Sequence, residues 1–134
     1  MDGRDEDIQS TRVRVNVLTQ ETRFVLVQNI LSHPEQLPTL REFDYVNPTK
    51  SRSTIREHLD TLIENDLVET VTLPESERTR DLPYRFYGLT DTGRELLERF
   101  DLLGAEGTLG EMYERLETTP EIERYADAPR PDRE

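Results

Sequence analysis

Cysteine is absent from the 134 residues, which excludes disulfides, thiol redox sensing and any cysteine-ligated zinc. Lysine is nearly absent too: Lys50 is the single lysine among 17 basic residues. The two histidines, His33 and His58, stand far apart, and residues 95–126 contain none, so no metal-ligand spacing is evident. No stretch approaches the roughly 18 consecutive apolar residues read as a membrane span. The opening MDGRDEDIQS has neither the basic start nor the apolar run of a secretory signal. Enzymatic chemistry lacks its usual marks: there is no glycine-rich phosphate loop and no serine nucleophile with a plausible histidine base. Gly104, Gly107 and Gly110 interrupt helical pattern and follow no strand. The expectation is a cytoplasmic, non-enzymatic protein without metal or cofactor.

Acid is plentiful. The 29 aspartates and glutamates give a net charge of −12 and a pI of about 4.6, with 33% apolar residues and a mean hydropathy of −0.80. The length fits one domain. Such acidity argues against a nucleic-acid partner unless the basic residues gather locally.

Residues 1–11 are polar and acidic and read as a disordered tail. Residues 12–18 alternate polar and apolar like a half-buried strand. Thr19 is then placed to cap a helix carrying Phe24, Val27, Ile30 and Leu31, which His33-Pro34 stops. Thr39 and Glu42 fit a capping box that opens a brief helix, ended near Val46 by Asn47-Pro48. Residues 47–50 form a turn, and a third helix follows over 50–65, capped by Ser51 or Ser53. Its apolar stripe is Ile55, Leu59, Leu62 and Ile63. Strand-like runs at 67–73 and 84–89 flank a polar loop, as in a hairpin. Thr90 caps a fourth helix with Leu96, Leu97, Phe100 and Leu103. A fifth is expected from Thr108, with Thr119-Pro120 starting a last helical turn or two, and 127–134 reads as tail. The boundaries drawn are 1–11, 12–103, 104–126 and 127–134.

A short helix, a tight turn, an amphipathic helix and a two-stranded hairpin form, in that order, a winged helix-turn-helix. The fold class expected is α+β, mostly α: a three-helix core, a two-stranded wing and an additional C-terminal helix. Residues 51–62, Ser-Arg-Ser-Thr-Ile-Arg-Glu-His-Leu-Asp-Thr-Leu, resemble the recognition helix of ArsR-like and MarR-like winged-helix transcriptional regulators. Residues 64–69 resemble the lead into their wing, and residues 87–97 the passage from its second strand to the next helix. This resemblance covers about 19–103. With the acidic, lysine-poor composition it points to haloarchaeal members, in which acidity is adaptation to a salt-saturated cytoplasm. It implies a regulator that binds double-stranded DNA. Repressor is not separated from activator, and operator, target genes and small-molecule effector are not identified. The alternative is a winged helix serving as a protein-interaction module in a transcription or repair assembly.

Local charge favours DNA. Residues 45–56 contain no acid but hold Lys50, Arg52 and Arg56, whereas residues 90–134 hold 13 acids and 6 arginines. Ser53, Thr54, Arg56 and Glu57 are expected to reach base edges, and Thr49, Lys50, Ser51 and Arg52 to hold phosphates. Arg78, Arg80 and Arg85 would bring the wing to the backbone or minor groove. The competing reading is that Ser51 and Ser53 merely cap the helix and Arg56 pairs with Asp60. Leu109, Met112, Tyr113, Leu116, Ile122 and Tyr125 offer more apolar surface than a terminal helix needs, and are expected to form a homodimer. The alternative is that they pack back on their own domain.

Overall fold

A computed structural model describes residues 3–103 and 119–133. The elements run α1 (Gly3–Thr19), α2 (Glu21–Ser32), α3 (Leu40–Val46), α4 (Arg52–Glu64), β1 (Val68–Thr72), β2 (Arg85–Leu89), α5 (Asp91–Arg99) and α6 (Pro120–Asp127). A single 3-10 turn, Glu75–Glu77, sits in the loop between the strands. The strands pair antiparallel, with Val68 opposite Leu89 and Thr72 opposite Arg85.

The first element overturns an expectation. Neither the tail at 1–11 nor the strand at 12–18 is seen over the described residues; α1 runs through both. The buried or half-buried positions are Thr11, Arg14, Val15, Val17 and Leu18, a helical face with Val17 at its edge, while Arg12, Val13 and Asn16 are exposed. A strand needs a partner edge for its backbone groups, whereas a helix satisfies them internally and still buries Leu18. The Arg14 guanidinium then donates to the carbonyl of Asn65, at the end of α4. The cap of α2 moves by one residue. Thr19 closes α1, its hydroxyl donating to Val15 O at 2.7 Å, and Gln20 Oε1 accepts the Arg23 N–H instead.

The core gathers Leu26, Val27 and Ile30 of α2, Phe43 of α3, and Ile55, Leu59 and Leu62 of α4. Leu67, Tyr87, Leu96 and Leu97 close it from the hairpin and α5. Phe43 meets Tyr87 edge to face at 5.9 Å. Asn65 ends α4, and Asp66 takes a left-handed φ of 57°, which lets Leu67 N–H reach Leu62 O at 3.0 Å. That closure aims the chain straight into the hairpin. Thr90 caps α5, accepting the Gly93 N–H and donating to Asp66 O at 2.6 Å. A side chain at Gly93 would overlap the Leu67 carbonyl, so only glycine lets α5 approach that strand.

Residues 128–133, expected as tail, are anchored across the fold. Arg130 is withdrawn from solvent and stacks over the Phe86 ring at 4.8 Å. It donates to Glu42 Oε1 at 2.6 Å and to the carbonyls of Leu37 and Ala128. Glu42 is wholly buried. Its Oε1 also accepts from the Thr39 N–H and hydroxyl, and its Oε2 lies 2.9 Å from His33 Nε2. His33 Nδ1 accepts the backbone N–H groups of Glu35 and Leu37, which places the ring proton on Nε2, facing Glu42. Burial alone would push the Glu42 carboxyl up. His33, the Arg130 charge and the Thr39 N–H outweigh it and hold the carboxyl below its ordinary value. Arg133 continues the strap, donating to Glu69 and to the carbonyl of Leu89.

Candidate nucleic-acid interface

Asn47, Pro48, Thr49 and Lys50 connect α3 to α4, as the turn signals predict. Asn47 pins this turn: its side-chain N–H group donates to Phe43 O and to Asn29 Oδ1, both at 2.8 Å. The Lys50 N–H donates to Asn47 O at 3.1 Å. Ser51, not Ser53, is the N-cap of α4: its hydroxyl accepts the Thr54 N–H at 3.1 Å and donates to Thr54 Oγ1 at 2.8 Å. The helix therefore starts with a fixed orientation, its first free N–H groups beside Lys50.

With Ile55, Leu59 and Leu62 buried, α4 turns Ser53, Arg56, Glu57 and Asp60 outward. Thr54 is half-buried and already bonded to Ser51. Glu57, Asp60 and Glu64 make the C-terminal half of the exposed face acidic, so the part suited to a polyanion is the first two turns.

The basic side chains fall into two groups. Lys50, Arg56, Arg80 and Arg85 are exposed, and their side chains make no hydrogen bond or ion pair among the described residues. The alternative Arg56–Asp60 pair is not formed there. Arg52 and Arg78, in contrast, are engaged. The Arg52 guanidinium lies 3.2 Å from Asp44 Oδ2, the acid immediately before the acid-free run. Arg78 folds back over the Tyr84 ring at 4.2 Å and donates to Leu73 O at 3.0 Å.

Several residues of this region carry no sequence signal. Arg23 donates to Val17 O at 2.7 Å and lies 3.2 Å from His58 Nδ1, joining α1, α2 and α4 behind the exposed face. Burial and the Arg23 charge, with a smaller push from Lys50, hold His58 below the ordinary histidine value despite Glu57. Arg41 joins Asp44 at 3.3 Å and Glu121 of α6 at 2.8 Å. Their hydrogen bond and opposite charges raise the Arg41 guanidinium and lower the Glu121 carboxyl. A periodicity argument assigns residues to faces of one helix; Arg41–Asp44 is such an i,i+3 pair within α3, whereas the Arg23 contacts and Arg41–Glu121 join different elements.

Of the expected dimer residues, Leu109, Met112, Tyr113 and Leu116 lie outside the described residues. Ile122 is buried in its own chain, where α6 packs on α3, and Tyr125 is half-buried. Among the described residues no helix is long and apolar enough to cross a membrane.

A three-helix core, a four-residue turn into an exposed amphipathic helix and a two-stranded hairpin beside it make this a winged helix-turn-helix, mostly helical. It is similar to a solved protein with a GntR superfamily winged-helix-turn-helix domain from Halomicrobium mukohataei. The two share 26% identity over 98% of this chain and 92% of that one, with a TM-score of 0.80. The likeness supports the winged helix-turn-helix and a haloarchaeal counterpart. It does not support the ArsR or MarR type expected from residues 51–62. No family profile and no curated protein matches the chain.

Proposed function

We propose that this protein is a sequence-specific regulator of transcription that presents the start of α4 to the major groove of duplex DNA. The wing lies along the backbone or the minor groove. The observation that carries this reading is the quartet Lys50, Arg56, Arg80 and Arg85, exposed and unpaired among the described residues, on a chain of net charge −12. These four cations flank the turn and the wing, where an anion from outside can reach them. Arg56 is suited to pair with guanine, and the exposed Ser53 and Glu57 beside it are suited to read neighbouring bases. Thr49, Lys50 and the N-terminus of α4 suit phosphates.

The ArsR/MarR-like motif and the GntR description of the similar protein share the helix-turn-helix and wing, and the proposal rests on that shared part. The protein acts in the cytoplasm of a halophilic archaeon, as a homodimer, without catalysis. The apolar pattern at 109–116 and the exposed Ile8, Val13 and Phe100 support a dimer.

Selection of genomic fragments in molar salt, followed by titration of the Arg56→Ala variant, tests the proposal. Loss of a base contact should cost about 1–3 kcal/mol and relax specificity at one position. Unchanged affinity in Arg56→Ala and in a Lys50→Ala/Arg56→Ala double variant refutes the assigned surface. Failure to select any DNA, with recovery of a specific protein partner, favours an interaction module instead.

A further inference from the structure

A cleft of about 760 Å³ separates the start of α4 from the wing loop at 81–84 and the first residue of β2, and α6 lines its far side. Four arginines line it: Arg41 of α3, Arg52 of α4, Arg85 of β2 and Arg124 of α6. Arg52 and Arg85 belong to the surface proposed for DNA, so the cleft continues that surface toward the C-terminal helix. Arg41 and Arg124 extend the row of cations beyond what the helix-turn-helix and wing supply.

In the free chain, carboxylates occupy this row. Glu121 is bidentate on Arg41, at 2.8 Å from Nη2 and 3.1 Å from Nε. Asp44 lies between Arg41 and Arg52, at 3.3 Å from the first and 3.2 Å from the second. The chain of contacts Glu121, Arg41, Asp44, Arg52 thus runs from α6 to the first turn of α4. A bidentate carboxylate on a guanidinium has the geometry that a phosphodiester would adopt there. All four side chains are at least a quarter exposed, so these pairs are weak and easily exchanged.

Resting on the DNA-binding reading, we infer that Arg41 is a phosphate contact and that Glu121 is its intramolecular stand-in, displaced when the DNA backbone enters the cleft. Residue 121 thereby sets how strongly the protein holds DNA without touching the recognition residues. Displacement of Glu121 frees the Nε and Nη2 edge of Arg41 for the backbone while Asp44 stays on Nη1, and Arg124 neutralises the released carboxylate from the same helix.

The test uses a random-sequence duplex, because phosphate contacts need no operator. Affinity is measured against salt for the full-length wild type, Arg41→Ala, Glu121→Gln and the phosphate-contact control Lys50→Ala. Glu121→Gln should bind roughly two- to five-fold more tightly, the range an exposed ion pair can withhold. Arg41→Ala should bind more weakly and lower the slope of log K against log salt by about one. A purely structural role for Arg41 would leave that slope unchanged. If the wild type binds and Lys50→Ala weakens it, but Arg41→Ala and Glu121→Gln match the wild type in affinity and slope, the inference is overturned and the DNA-binding surface stands. If the wild type binds no duplex at any salt, both fall.

Discussion

Replacing Arg130 with alanine removes the side chain that ties the C-terminal strap to the first helix of the helix-turn-helix. In the native chain its guanidinium side chain is 4% exposed, and the Glu42 side chain it meets is 1% exposed. Without Arg130, Glu42 keeps the Thr39 donors and His33 but loses the Arg130 charge, and stays buried. Breaking a buried pair from one side costs about 3–5 kcal/mol. Whole domains are held by only about 5–15 kcal/mol. A melting temperature lower by on the order of 10–20 °C is expected for a chain of this size. The measurement is a thermal melt in molar salt, with chemical denaturation at fixed temperature as a second readout. The double variant Glu42→Gln/Arg130→Met removes the charge from both sides and should recover most of the loss, because neither partner is left buried and unpaired. Acid adds an independent check. The folded Glu42 carboxyl is held below its unfolded value, so its stabilisation is present above the unfolded value and lost as pH falls through the folded one. Arg130→Ala should flatten that acid limb. A cost under about 1 kcal/mol, typical of an exposed pair, would refute the reasoning.

Two further outcomes follow from the same packing. Gly93→Ala places a methyl group against the Leu67 carbonyl, which is backbone and also accepts the Thr90 N–H. It should destabilise by about 1–3 kcal/mol on denaturation, and a neutral result would show that α5 can back away. His58 should titrate below the ordinary histidine value when followed by NMR of its ring protons, so its stabilising effect is lost as pH falls through that depressed value. Arg23→Ala removes the neighbouring charge and should move the titration upward; no movement would assign the shift to burial alone.

Sequence alone determined what is local. The Thr39–Glu42 capping box, the Asn47-Pro48 break, the stripe Ile55, Leu59, Leu62 and the Thr90 cap depend on residues within a few positions of one another, where spacing dictates contact, and the hairpin joins two strand runs consecutive in the chain. From their order the helix-turn-helix and wing could be read. Alternation misled at 12–18, because period-two patterning signals a strand only where a sheet edge is present to receive it. Only the tertiary structure decided which charges are free. Arg52 looked available because no acid follows Asp44 until Glu57, yet the turn brings Asp44 back to it. Arg130 looked like tail because its partner Glu42 lies 88 residues away. Glu121 reaches Arg41 across 80 residues, which no periodicity can register. The reason is physical: helices and turns are settled by neighbours along the chain, whereas an exposed ion's availability depends on whichever opposite charge the fold places within about 4 Å of it.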